Sequence, residues 1–207
     1  MAHNAADKII AKIYGGGRGA AFTPKDFTGL AGPETVRQTL LRLAKAGTIR
    51  RLLRGVYDYP AFSNLLKAPA SPDPDAIARA IARAHAWTIL PAGATALNLL
   101  GLSTQVPARW EYFTDGPTKK YLWTGGTLLF THRAIKETST LSPRTALLVQ
   151  ALKTLGTDQV DNQVLATLRK QFTAQERTHA LREAQYVTAW VYAVIKRLAA
   201  GENKPHA

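Results

Sequence analysis

The stretch that decides the fold is residues 33–59, PETVRQTLLRLAKAGTIRRLLRGVYDY. Its first part spaces apolar residues at helical intervals and predicts a helix from Pro33 to about Ala46, opened by the proline and ended by a glycine. Its second part is rich in β-forming residues and predicts a hairpin over residues 48–59 that turns at Arg54–Gly55.

Two shorter helices are predicted ahead of this stretch. Residues 5–14 carry isoleucines on one side, and the glycine-rich residues 15–19 end that helix. Thr23 is a good N-cap for a short helix over Thr23–Phe27, because a proline follows it and Asp26 occupies the capping-box position. The predicted elements therefore follow the order of a winged helix-turn-helix: a helix, a short helix, a turn, a third helix and a basic hairpin.

The hairpin register decides which arginines would lie opposite an acidic residue and which would be available to contact DNA. If Arg54 and Gly55 form the turn, Arg51 lies opposite Asp58 and Arg50 lies opposite Tyr59. Arg51 would then be partly neutralised, whereas Arg50 and Arg54 would meet DNA phosphates or the minor groove.

The exposed face of the third helix has the side chains that read bases in the major groove. Gln38 can pair with adenine, and Arg37 or Arg42 with guanine. Arg18 and Lys25 are expected to contact the DNA backbone at the entrance of the second helix. A polar helix face with basic residues is also common where the helix simply faces solvent. Some winged helices bind proteins instead of DNA. The predicted DNA-binding residues are Arg18, Lys25, Thr35, Arg37, Gln38, Arg42, Lys45, Arg50, Arg51 and Arg54.

Composition agrees with a polyanionic partner. The chain has 27 basic and 14 acidic residues, a formal net charge of +13, which attracts nucleic acid or an anionic membrane. There is no cysteine, hence no disulfide, and no apolar run approaches the length that spans a bilayer. The first ten residues have no apolar signal core, so we expect a cytoplasmic protein.

Prolines at 69, 72 and 74 predict a linker over residues 67–75. This divides the chain into a DNA-binding domain, residues 1–66, and a second domain, residues 76–207. For the second domain we predict an α+β fold, with a small antiparallel sheet and C-terminal helices. Its predicted helices span 74–86, 92–100, 143–155, 159–172 and 173–200, and its predicted strands span 110–114 and 127–132. Basic residues near these strands either extend a nucleic-acid surface or protect sheet edges; they are Arg109, Lys119, Lys120, Arg133 and Lys136.

No motif indicates catalysis. The glycines at 15–19 are not followed by the Gly-Lys-Ser/Thr of a phosphate-binding loop, and there is no nucleophile elbow. The histidines lack metal-ligand spacing; they are His3, His85, His132, His179 and His206. We therefore expect no enzymatic activity, no metal and no cofactor.

Several segments together resemble the AbiE-type antitoxin family. In the N-terminal part these are Phe22-Thr-Pro-Lys-Asp-Phe27, Gly47-Thr-Ile-Arg-Arg51 and Arg54-Gly-Val-Tyr-Asp-Tyr-Pro60. Beyond the proline cluster they are Leu90-Pro-Ala-Gly-Ala-Thr-Ala-Leu-Asn-Leu-Leu-Gly-Leu102, Ser103-Thr-Gln-Val-Pro107 and Tyr112-Phe-Thr-Asp-Gly-Pro117. The resemblance covers roughly residues 20–135.

The resemblance implies an antitoxin of a type IV toxin–antitoxin system, associated with phage defence. It implies an N-terminal winged helix that represses its own operon by binding inverted repeats. It also implies a second domain that counteracts a nucleotidyltransferase toxin, without requiring a stable complex. The family's DNA contacts would fall on Arg37, Arg42, Arg50, Arg51 and Arg54. The alternative is a winged-helix transcriptional regulator with no antitoxin role.

Overall fold

The computed structural model describes residues 5–133 and 140–200. It is a mixed α+β protein with small antiparallel sheets, divided into two compact units. Unit 1 comprises Met1–Thr88 and Lys120–Leu128, and unit 2 comprises Ile89–Lys119 and Leu129–Ala207. Within the described ranges, every helix is too short or too polar to cross a membrane.

Unit 1 contains the helices and the hairpin predicted from the sequence, together with three short strands outside the hairpin that were not predicted. Their order is α1 (Ala5–Gly15), β1 (Ala21–Phe22), a 3₁₀ turn (Pro24–Phe27), α2 (Pro33–Lys45), β2 (Arg50–Leu53), β3 (Val56–Asp58), β4 (Phe62–Ser63), β5 (Ala68–Pro69) and α3 (Pro74–His85). The predicted capping box is confirmed, since the Asp26 carboxylate accepts from the Thr23 backbone N–H at 2.7 Å. The core of the first elements is built from side chains of α1, the 3₁₀ turn, α2 and the strands.

Helix α2 is held by its apolar face and by the way it ends. Val36, Leu40 and Leu43 are buried, as the helical spacing predicts. Gly47 has φ +73° and donates to Ala44 O, and the next N–H, of Thr48, donates to Leu43 O. This is the Schellman arrangement, which needs a left-handed residue at the glycine position. It leads the chain directly from α2 into β2.

The hairpin turns at Arg54–Gly55 as predicted, but its register is different. Leu53 pairs with Val56, whereas Arg51 pairs with Tyr57 and Arg50 with Asp58, because the ladder is irregular between Arg51 and Leu53. The irregularity uses one extra residue of β2 and shifts the pairing by one position. The predictions that Arg51 faces Asp58 and that Arg50 faces Tyr59 are therefore wrong. Strand β3 is central, since β1 pairs with its other edge.

Helix α3 belongs to unit 1, which differs from the predicted division at residues 67–75. Its buried side chains include Ile77 and Ile81, and it packs against β1, β3 and the 3₁₀ turn. The Arg83 guanidinium donates to Asp26 Oδ1 and to Ala21 O, both at 3.1 Å. Within the predicted linker, β5 pairs with β4 in a two-stranded ribbon.

The remaining elements build an antiparallel sheet and a helical layer. They are β6 (Ile89–Pro91), α4 (Gly93–Leu99), β7 (Trp110–Thr114), β8 (Lys119–Trp123), β9 (Gly126–His132), α5 (Pro143–Leu155), 3₁₀ turns (Thr157–Gln159 and Ala184–Tyr186), α6 (Asn162–Gln171), α7 (Ala174–Glu183) and α8 (Ala189–Ala199). The strand order is β6–β7–β9–β8. Side chains of α4 to α8 form one apolar core, in which Leu148, Leu152 and Ile195 are fully buried.

Three features of this part differ from the prediction. The predicted helix 173–200 is two helices, because the chain leaves α7 through a 3₁₀ turn and an extended Val187. Helix α6 begins at Asn162, capped by the Asp161 side chain, rather than at residue 159. Strands β6 and β8 were not predicted.

Candidate nucleic-acid interface

Four of the predicted residues line the exposed face of α2. Thr35, Gln38, Arg42 and Lys45 recur at helical spacing on the side opposite the buried Leu40. Three of them, Thr35, Gln38 and Arg42, line a shallow cleft of about 260 Å³ that also touches Ala6 of α1. Local periodicity is thus sufficient to bring these side chains to one surface.

The basic residues of unit 1 divide into paired and unpaired cations. Among the described residues of the predicted interface, four basic side chains have no hydrogen-bond or ion-pair partner. We call them the unpaired cations: Arg42 and Lys45 on α2, and Arg51 and Arg54 on the β2–β3 hairpin. All four are exposed. A cation that is not compensated within the protein is available to an external anion, so these four carry the electrostatic character of the surface.

Arg50 is the best paired of the predicted cations. Its Nε donates to Asp58 Oδ1 at 3.0 Å and its Nη2 donates to Asp58 Oδ2 at 2.6 Å. The Asp58 side chain is 3% exposed and that of Arg50 is 32% exposed. A buried carboxylate needs this compensation, because an unpaired charge in a low-dielectric interior is costly. The prediction that Arg51 is neutralised by Asp58 is wrong; the neutralised arginine is Arg50.

Arg37 and Gln38 are tied to an acidic residue on their own helix. Arg37 forms a bidentate pair with Glu34, with Nη2 to Oε1 at 2.6 Å and Nε to Oε2 at 2.9 Å. Gln38 Nε2 also donates to Glu34 Oε1, at 2.9 Å. The hydrogen bond from Arg37 is the main reason that the pKa of Glu34 lies below its ordinary value of 4.5. Sequence reasoning left Glu34 out of the site, although its spacing of three and four residues to these partners was a usable signal.

Arg18 and Lys25 contact other parts of unit 1. Arg18 Nη1 donates to Pro60 O at 3.0 Å, and its guanidinium lies 4.7 Å from the centre of the Tyr59 ring. Lys25 Nζ donates to Ala84 O at 2.6 Å, at the carbonyl end of α3. Both side chains are exposed. They anchor the hairpin base and α3, respectively, in addition to any external contact.

The basic residues predicted near the strands of the second domain have mixed surroundings. Arg109 is paired with Glu111, and the Arg133 guanidinium lies 4.6 Å from the centre of the Phe113 ring. Lys119 and Lys120 are exposed on β8, an edge strand of its sheet. Lys136 lies outside the described residues. These contacts leave less uncompensated charge here than on the α2 and hairpin surface.

The described histidines are separate from one another. His85 stacks on Trp87 with ring centres 4.5 Å apart, His132 Nδ1 lies 2.8 Å from Gly116 O, and His179 Nε2 lies 3.0 Å from Glu183 Oε1. His3 and His206 lie outside the described residues. In residues 5–133 and 140–200 no three histidine or carboxylate side chains group as metal ligands do.

Comparison with known families identifies the chain. A family model described as "Family of unknown function (DUF6088)" matches residues 8–180. The chain belongs to this family. The match to DUF6088 includes residues of both units. The family description assigns no activity, so the function of this DUF6088 protein is inferred from its own residues.

More distant comparisons add little to that identification. The crystal structure of RV2827C protein from Mycobacterium tuberculosis is similar over 95% of this chain and 80% of that chain, with 16% sequence identity and a TM-score of 0.42. A likeness at this level carries no argument about function. No curated protein matches the DUF6088 chain.

The paired arginines yield a stability prediction that distinguishes buried from exposed ion pairs. Asp58→Asn should lower the free energy of unfolding by about 2 kcal/mol, because it leaves Arg50 uncompensated and weakens two charge-assisted bonds. Glu34→Gln is the matched control, since it removes one carboxylate from an exposed pair and should lower the free energy of unfolding far less than Asp58→Asn does. Urea denaturation of both variants measures the difference. Equal losses would contradict the assigned roles of the two pairs.

Proposed function

We propose that this protein binds double-stranded DNA through unit 1. Helix α2 would lie in the major groove, with the β2–β3 hairpin against the neighbouring backbone. The single observation that carries the proposal is the set of unpaired cations, Arg42, Lys45, Arg51 and Arg54, on two consecutive elements. Neighbouring cations of the same unit, by contrast, are compensated by Glu34 and Asp58.

The order of elements supports the same proposal. The first elements are, in order, helix α1, a 3₁₀ turn, helix α2 and the β2–β3 hairpin. Strand β3 of the hairpin also pairs with β1. This is the order of a winged helix-turn-helix, in which the last helix reads bases and the hairpin is the wing. The net charge of +13 adds a long-range attraction to DNA.

The side chains have distinct roles in this proposal. Thr35, Arg37 and Gln38 belong to the N-terminal half of α2, the part of a recognition helix that reaches base edges. The unpaired cations bind phosphates, which sets affinity and salt dependence but carries no sequence information. Arg50 acts mainly within the protein, by compensating Asp58, and Arg18 and Lys25 contact phosphates at the margin of the surface.

We further propose, from the AbiE-type resemblance, that the protein is a cytoplasmic antitoxin that represses its own operon. It would bind inverted repeats in its promoter and counteract a nucleotidyltransferase toxin encoded beside it. It would itself have no enzymatic activity and no cofactor. The alternative is a transcriptional regulator without an antitoxin role.

The test of DNA binding removes two wing cations together. Wild-type protein should shift a duplex of its own promoter, and log affinity should fall linearly with log salt concentration, because bound counterions are released. Arg51→Ala/Arg54→Ala should bind at least about tenfold more weakly, with a slope smaller in magnitude by about two.

The matched control is Lys170→Ala/Arg182→Ala, which removes the same charge from exposed positions of unit 2. It should change affinity by less than about twofold, since neither residue lies on the proposed surface. Equal weakening of both double variants would reduce the effect to overall charge and contradict the assignment. Absence of any shift by wild-type protein at low salt would contradict DNA binding itself.

The antitoxin role has a separate test, co-expression with the proposed nucleotidyltransferase toxin. Wild-type protein should restore growth. The Arg51→Ala/Arg54→Ala variant should restore growth as well but lose repression of a promoter fusion, because the resemblance assigns neutralisation to the second domain. Failure of the wild type to restore growth, with repression intact, would favour the regulator without an antitoxin role.

A further inference from the structure

The Glu34 carboxylate links the two side chains best suited to read bases. It accepts from Arg37 Nε and Nη2 and from Gln38 Nε2, at 2.6–2.9 Å, although the Glu34 and Arg37 side chains are each 61% exposed. Glu34 occupies the first turn of α2, where a carboxylate also interacts favourably with the helix dipole. The three residues thus form one hydrogen-bonded cluster, which we call the Glu34 cluster.

The donors left over in this cluster are those that base recognition needs. Arg37 uses Nε–H and one Nη2–H for Glu34, which leaves both Nη1–H groups and the other Nη2–H. Nη1 and Nη2 of Arg37 can therefore still donate to guanine O6 and N7. Gln38 uses one amide N–H, which leaves its other N–H and its oxygen for adenine N7 and N6. Glu34 therefore restrains both side chains without occupying the atoms that would meet a base.

The same cluster is unsuited to phosphate. The pair of Glu34 and Arg37 has no net charge, so Arg37 adds little to the attraction that the unpaired cations supply. An ionised carboxylate near the backbone is repelled by it, and in the groove it can only accept, from the amino groups of cytosine or adenine. DNA that lacks suitable base edges would gain no hydrogen bond from this cluster and would have the Glu34 carboxylate close to its phosphates.

We propose that Glu34 is a positioning residue that sets sequence specificity, an inference that rests on the proposed DNA binding. It orients Arg37 and Gln38 toward base edges and weakens binding to DNA of other sequence. Its removal would release Arg37 as a further phosphate-binding cation. Specificity would then fall while non-specific affinity rises.

The experiment begins with selection from a pool of duplexes with 20 randomised base pairs, using full-length wild-type protein. Dissociation constants are then measured over a range of salt concentrations for the selected duplex and for a scrambled one. For the scrambled duplex, Glu34→Ala should bind more tightly than wild type, with a log–log salt slope steeper by about 0.9, because one more phosphate is neutralised. The ratio of the two affinities should fall about tenfold or more.

The matched control is Glu111→Gln, which removes a carboxylate paired with Arg109 in unit 2 and so changes net charge by the same amount. It should leave the ratio of affinities within about twofold of wild type, because it changes both affinities alike. If Glu34→Ala also keeps the wild-type ratio, or weakens both duplexes in parallel, the specificity role is wrong and Glu34 serves only the helix. If wild-type protein binds no duplex of the pool, the proposed function fails instead.

Discussion

The buried carboxylate of Asp58 is the constraint on which the surface of unit 1 depends. It lies on the central strand β3, with β1 on one side and β2 on the other, and its side chain is 3% exposed. A charge in that position requires a close partner, and Arg50 supplies it through two hydrogen bonds. The register of β2 on β3 places Arg50 opposite Asp58, so Arg50 rather than Arg51 compensates the carboxylate.

The division of cations follows from that register. Since Arg50 turns toward Asp58, the neighbouring Arg51 lies on the exposed side, and Arg54 lies at the turn. On α2 the corresponding division is made by Glu34, which compensates Arg37 and leaves Arg42 and Lys45 unpaired. The Schellman end at Gly47 joins the two elements through a single residue of left-handed conformation. Two carboxylates and one glycine thus determine where uncompensated positive charge is presented.

Local patterns were enough to predict the helices and the turn of unit 1. Helical spacing in α2, the capping box at Thr23 and the Arg54–Gly55 turn all correspond to structure formed within a few residues. The predicted register of the hairpin is wrong because one extra residue in β2 shifts the pairing. A sequence pattern does not reveal such a bulge. The surface face of α2 was predictable for the same reason as its helix, whereas the role of Glu34 needed the hydrogen bonds.

Features that depend on distant contacts were not predictable. The helix α3 was expected from its own spacing, but its place in unit 1 depends on Arg83, Asp26 and Lys25, which are far apart in sequence. Strand β8 escaped prediction because it begins with two exposed lysines and lacks a run of β-branched residues. The segment between α7 and α8 contains no glycine or proline, the residues that usually indicate the end of a helix in a sequence.

The most direct test of the central claim is affinity cleavage of DNA from chosen positions. The chain has no cysteine, so a single Thr35→Cys variant can be labelled uniquely with an iron chelate that cuts nearby DNA. Thr178→Cys, exposed on α7, is the matched control. We predict localised cleavage of a bound duplex from position 35 and none above background from position 178. Equal cleavage from both positions, or cleavage from position 178 alone, would contradict the claim that α2 of unit 1 faces DNA.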